Sequence, residues 1–121
     1  MVEKIILIAG RPGSGKTELI IHYCNQYPET TLLLAEEYSE EYIKERGLKD
    51  KVKVINKNEF YNVNLSNYKT ICIDYIELFD EEFLQYLITK SLEQNIRIIA
   101  LTQMRRDFEI NNIFHECVTK V

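Results

Sequence analysis

Residues 10 to 17 read Gly10-Arg11-Pro12-Gly13-Ser14-Gly15-Lys16-Thr17. They match the phosphate-loop pattern G-x-x-x-x-G-K-[ST] in full. The apolar run Ile5-Ile6-Leu7-Ile8-Ala9 ends directly at Gly10, and a helix-like run from Thr17 to Gln26 follows Gly15. Strand, glycine loop and helix is the order in which this motif works. The ligand class it indicates is a nucleoside triphosphate with Mg²⁺; ATP is the expected cofactor, and the motif itself does not separate it from GTP.

The chemistry follows from the residue types. A triphosphate offers many acceptor oxygens and several negative charges. Gly10, Gly13 and Gly15 carry no Cβ, so backbone N–H groups can approach the phosphates closely. Arg11, Pro12 and Ser14 complete the loop; Pro12 donates no N–H but stiffens the turn. The free N–H groups at the start of the following helix also face the anion. Lys16 is expected to reach the β- and γ-phosphates, and Thr17 to place its hydroxyl on Mg²⁺.

A chain of 121 residues suggests one domain over 1–121, a minimal phosphate-loop NTPase unit able to bury a core without staples. The net charge of −4 argues against strong charge-driven nucleic-acid binding by an isolated monomer, though not against a local basic patch. Cys24, Cys72 and Cys117 are scattered and read as buried reduced thiols. His22 and His115 are isolated and read as structural or exposed, and no Cys–His cluster has metal-ligand spacing. The first apolar run is too short for a signal peptide, and no run approaches the ~20 residues needed to cross a bilayer. The expectation is a soluble, cytoplasmic protein with no membrane partner.

Apolar runs alternate with helical patterns, which predicts an α/β fold with a mainly parallel central sheet. Strands are expected near residues 4–9, 30–35, 52–55, 70–74, 96–101 and 115–121. The first helix shows Leu19, Ile20, Tyr23 and Cys24 at helical spacing and stops before Pro28. Ser39 is placed to cap a second helix, with Glu40 and Glu41 in its first turn and Gly47 at its exit. Asp80 caps a third, whose core face is read as Phe83, Leu84, Leu87, Ile88 and Leu92. Residues 57–68, rich in Asn and Tyr, read as a loop.

Four further positions carry candidate chemistry. Asp74 ends the apolar run Ile71-Cys72-Ile73, and such an acid can help hold Mg²⁺ and its waters. Glu36 and Glu37 close the second strand; either can orient an attacking water, and either can belong to a solvated acidic turn with Glu40 and Glu41. Gln103 follows the strand 96–101 and is either a γ-phosphate sensor or a polar loop residue. Arg105 and Arg106 are candidates for nucleic-acid contact, for a finger into a neighbouring subunit, or for a solvated turn.

Taken together, these pieces resemble the RecA-like ATPase domain of the DnaB-type replicative helicases. The loop is similar to that family's version, with its Arg11-Pro12 pair before the second glycine. Ala35-Glu36-Glu37-Tyr38-Ser39 resembles the segment ending Glu-Met-Ser, which aligns Glu37 with the family's catalytic glutamate. Ile73-Asp74-Tyr75-Ile76-Glu77-Leu78 resembles Asp-Tyr-Leu-Gln-Leu, so Asp74 matches the magnesium-site acid and Glu77 replaces an amide. Leu101-Thr102-Gln103-Met104 resembles Leu-Ser-Gln-Leu, so Gln103 matches the sensor glutamine. Arg105 and Arg106 fall where the family begins a DNA-facing loop, and the stretch from Phe114 to Val121 resembles its next core strand. The resemblance implies a three-layer RecA-like P-loop sandwich, with Lys16, Glu37 and Gln103 catalytic and Thr17 and Asp74 at the metal. It is thin between residues 45 and 68. The family's primase-contacting domain and trans-acting arginine have no counterpart here, so a stripped ATPase core is expected in place of a complete ring helicase.

Two other readings stand beside an ATPase. One is a non-catalytic nucleotide-binding module docking on a larger DnaB-like ring or replication protein; a homo-oligomer is a further candidate partner state. The other is a small nucleoside or nucleotide kinase, for which the length leaves little room for an acceptor pocket and lid.

Overall fold

The structure, a computed structural model, describes residues 5–9, 16–36, 38–102 and 118–120. Its elements run β1 (Ile5–Ala9), α1 (Lys16–Gln26), β2 (Thr31–Leu34), α2 (Glu40–Glu45), β3 (Lys53–Ile55), α3 (Lys57–Phe60), β4 (Thr70–Ile73), α4 (Glu81–Glu93), β5 (Arg97–Thr102) and β6 (Val118–Lys120). Among the described residues the six strands form one sheet in the order β3-β2-β4-β5-β1-β6. Every pairing in it is parallel.

Handedness explains which helix covers which face. From β1 to β2, and from β2 to β3, the chain steps one way along the sheet. From β3 to β4, and from β4 to β5, it steps the other way. A right-handed crossover puts the connecting segment on one face for the first direction and on the opposite face for the second. The core divides accordingly. Ile20, Ile21 and Cys24 of α1 and Ile43 of α2 pack with Ile8, Leu33, Cys72, Ile99 and Leu101. Phe60 of α3 and Phe83, Leu84, Leu87 and Ile88 of α4 pack with Leu32, Leu34, Ile71, Ile73, Ile98 and Ala100. Alternate strand residues thus point to opposite helical layers, as the two-residue period demands. Buried on both faces, β2, β4 and β5 read as continuous apolar runs. This is the expected three-layer α/β sandwich with a RecA-like parallel sheet, in which one strand, β5, separates the strand before the glycine loop from the strand before Asp74.

The helix ends are set by side chains that the sequence shows openly. Ser39 Oγ accepts the Tyr42 N–H at 3.1 Å and starts α2. At its exit the Gly47 N–H donates to Lys44 C=O and the Leu48 N–H to Ile43 C=O. That paired closure needs a left-handed residue, and Gly47 sits at φ +112°. Asn95, at φ +60°, does the same for α4, with Asn95 N–H on Leu92 C=O and Ile96 N–H on Ser91 C=O.

Asp80 caps α4, its Oδ1 accepting the Phe83 N–H at 2.7 Å. That bond, then the Lys57 ammonium 3.3 Å away, holds the Asp80 carboxyl below its ordinary value of 3.8. A lowered folded-state pKa gives stability that is complete above the unfolded value and is lost as pH falls through the folded one. The melting-temperature gap between wild type and Asp80→Ala is therefore expected at neutral pH and expected to close on acidification below about pH 4. A gap that persists unchanged at pH 2 contradicts the assignment.

Three expectations are corrected. Residues 57–68 are not simply a loop: they hold α3 and a 3-10 turn at Leu65–Asn67. Asn56 accepts the Glu59 N–H while Glu59 reaches back to the Asn56 N–H, a complete capping box. The asparagines act as caps, and Phe60 and Leu65 anchor the segment in the core. Leu92 is exposed, not core. At about 100° per residue it lies about 80° round from Leu84, whereas position 91 lies about 20° away. Ser91 takes that buried place and donates to Leu87 C=O at 2.7 Å. Leu19 is also exposed, because the buried stripe of α1 runs through Ile20, Ile21 and Cys24, nearly opposite it. The last strand, expected over 115–121, is β6 at Val118–Lys120; its neighbours 115–117 and 121 lie outside the described residues.

Candidate functional site

Because every strand runs the same way, the C-terminal ends of β1, β2, β4 and β5 meet at one edge. Register aligns them: Ala9 is beside Thr102, and Ile73 is beside Ala100. Asp74, Thr102 and the entry to the glycine loop therefore open on the same edge. In an open α/β sheet this edge is where ligands bind. With strands about 4.8 Å apart, β1 and β4 stand about 10 Å apart across β5.

Asp74 is buried, with 2 % of its surface exposed. Its Oδ2 accepts the Glu36 N–H at 2.7 Å and its Oδ1 the Tyr75 N–H at 2.7 Å. Its own N–H continues the ladder to Leu34 C=O. A carboxylate gripped by two short backbone bonds cannot swing, and it fixes the turn after β2 to the end of β4.

Thr17, in the first turn of α1, is half-buried and donates its hydroxyl proton to the Tyr38 hydroxyl at 3.3 Å. Tyr38 stacks on Tyr42, with ring centres 5.0 Å apart and planes 18° from parallel. The Arg46 guanidinium lies 5.5 Å over the Tyr42 ring and pairs with Glu18, the residue after Thr17. Farther along, Asn25 clamps the exit of α2, its amide donating to Gly47 C=O and accepting the Lys49 N–H, both at 2.9 Å. Sequence reasoning missed Tyr38. The readable signal was Tyr38, Tyr42 and Arg46 at intervals of four.

The two neighbouring glutamates part company here. The Glu36 carboxylate accepts the Lys57 N–H at 2.7 Å and so anchors the first turn of α3. Glu36 is thereby engaged in holding the fold, while Glu37 lies outside the described residues. Glu77 accepts the Thr102 hydroxyl, joining the segment after β4 to the last residue of β5. The Glu77 carboxylate is thus tied to the C-terminal end of β5.

Gly10, Arg11, Pro12, Gly13, Ser14, Gly15, Gln103, Arg105 and Arg106 also lie outside the described residues, as do His115 and Cys117. Of Lys16 the structure describes the backbone, as the first residue of α1. His22 is exposed on α1. Cys24 and Cys72 are buried free thiols on facing elements. The hydrogen bond with Cys24, which favours the protonated Cys72 thiol, together with burial raises Cys72 well above its ordinary value. Both read as inert core residues.

Among the described residues no group of three or more His, Cys, Asp or Glu could hold a metal. A nucleotide-bound Mg²⁺ takes few protein ligands, because substrate phosphates and water supply most of its oxygens. A shallow cavity of about 320 Å³ lined by Lys53, Ile55, Glu59, Asn62 and Val63 sits on the edge strand β3. It includes neither Thr17 nor Asp74, and its chemistry offers nothing for a phosphate tail beyond Lys53. No described helix is long and apolar enough to cross a membrane.

No family model matches the chain. No curated protein matches it. Among solved structures the chain is similar to the UvsW helicase of bacteriophage T4, at 15 % identity and a TM-score of 0.46. That match covers all of this chain and 45 % of the helicase chain, so the present chain spans under half of that protein.

Proposed function

We propose that the chain binds ATP with Mg²⁺ and hydrolyses it, as a shortened form of the DnaB-type helicase core with a role linked to DNA replication. The observation that carries this reading is the conjunction of the complete phosphate-loop motif with a rigid, buried Asp74 at the same sheet edge. Each chain residue has a role in it. The amides of residues 10–15 and the Lys16 ammonium bind the phosphates. The Thr17 hydroxyl and the Asp74 carboxylate hold the cation, Asp74 from a site its two backbone donors have already fixed. The cation, when bound, neutralises phosphate charge. Glu37 orients the attacking water and takes its proton, and Gln103 senses the γ-phosphate. Arg105 and Arg106 contact DNA or a neighbouring subunit's phosphate. Partners of this kind are further copies of the chain or a larger replication ATPase.

An ATPase assay with and without single-stranded DNA, run beside Glu37→Gln, tests the reading. The expected result is phosphate release by the wild type that falls at least 100-fold in Glu37→Gln, the scale of losing a general base, while ATP binding stays intact. ATP binding without turnover under all conditions would replace the ATPase with a docking module. Phosphate transfer to a nucleoside would replace it with a kinase.

A further inference from the structure

We infer that Tyr38 is a positioning residue for the cation-binding hydroxyl of Thr17. The inference rests on the nucleotide reading above and deepens it. A threonine hydroxyl has one proton and two lone pairs. To serve as a cation ligand it must turn its lone pairs to the metal and give its proton to something else. The structure supplies that acceptor: Thr17 donates to the Tyr38 hydroxyl at 3.3 Å. The bond is longer than the usual range for two oxygens and therefore weak. A cation on the Thr17 oxygen withdraws electron density from the O–H, makes it a better donor and shortens this bond.

Tyr38 does not meet Thr17 by a loose swing of its side chain. Its ring is stacked on Tyr42, Tyr42 lies under Arg46, and Arg46 is paired with Glu18. The contacts close a circuit that starts at Thr17 and returns to the adjacent residue on α1. Twenty-one positions separate Thr17 from Tyr38 in the chain, so the circuit ties the segment after β2 to the start of α1.

Tyr38→Phe separates this from a packing role, because it keeps the ring and the stack and removes only the acceptor oxygen. Calorimetric titration of ATP at graded Mg²⁺ concentrations gives the cation requirement without recourse to turnover. The expected result is an Mg²⁺ requirement raised about tenfold in Tyr38→Phe, the scale of losing a partner behind a metal ligand. Melting temperature, and ATP affinity in EDTA, stay at the wild-type values. In a Thr17→Ala background the Tyr38→Phe change has no further effect, since there is no hydroxyl left to orient. An unchanged Mg²⁺ requirement in Tyr38→Phe overturns the inference, as does an effect of equal size in the Thr17→Ala background. If instead the wild type itself takes up no ATP, the nucleotide reading falls and this inference with it. The two failures are therefore distinguishable.

Discussion

Lys16→Ala is expected to weaken ATP uptake by about 100- to 10,000-fold and to remove phosphate release. The change deletes the one ammonium group that the motif directs at the β- and γ-phosphates. Each charge-assisted hydrogen bond of this type contributes about 1.5–3 kcal/mol, so losing contacts to two phosphates amounts to about 3–6 kcal/mol. A tenfold change in affinity corresponds to about 1.4 kcal/mol, which sets the range. The fold should survive, because Lys16 is the first residue of α1 and alanine is a strong helix former. Calorimetric titration with ATP, alongside thermal melting, checks both parts. Unaltered ATP affinity in a folded Lys16→Ala protein would show that residues 10–17 do not grip a triphosphate.

Asp74→Asn is expected to damage the protein twice. Both carboxylate oxygens accept backbone N–H groups, from Glu36 and from Tyr75. An amide has one oxygen and one NH₂, so it can satisfy only one of these donors and sets a donor against the other. A buried N–H left without an acceptor costs about 1–3 kcal/mol, and a lower urea midpoint reports it. Loss of the carboxylate charge also weakens Mg²⁺-dependent ATP uptake, by about 10- to 100-fold. Wild-type stability in Asp74→Asn would contradict the two-bond anchoring, and wild-type Mg²⁺ dependence would remove Asp74 from the cation site. The usual Asp-to-Asn knock-out is thus not a silent substitution here, and its activity loss must be read beside its melting curve.

Much of the architecture could be read from local pattern. Leu32–Leu34 and Ile98–Leu101 are apolar without alternation because helices cover both faces of the sheet, and such runs declare buried parallel strands. Ser39, Gly47 and Asp80 marked helix ends through hydrogen bonds made within a few residues. Residues 57–68 were misread because a capping asparagine and a loop asparagine are the same letter. Only the Asn56–Glu59 spacing told them apart. Leu92 was misread because the apolar stripe of α4 ends in Ser91, a polar residue that satisfies itself on Leu87 C=O. The contacts that shape the site were the least legible. Thr17 with Tyr38, and Glu77 with Thr102, join residues 21 and 25 positions apart, which no periodicity records. Glu36 and Glu37, adjacent in an irregular turn, could not be ranked by type or spacing. The structure gives Glu36 a fold-holding contact, its carboxylate accepting the Lys57 N–H, while Glu37 lies outside the described residues.

Everything proposed for this molecule depends on backbone amides after β1 holding a polyphosphate beside a fixed carboxylate. The most direct measurement is isothermal calorimetry of the folded wild-type chain with ATP, with Mg²⁺ and again with EDTA. Saturable uptake that strengthens with Mg²⁺ is the predicted result. No detectable uptake of ATP or GTP under either condition, by a protein whose melting curve shows it folded, would contradict the account.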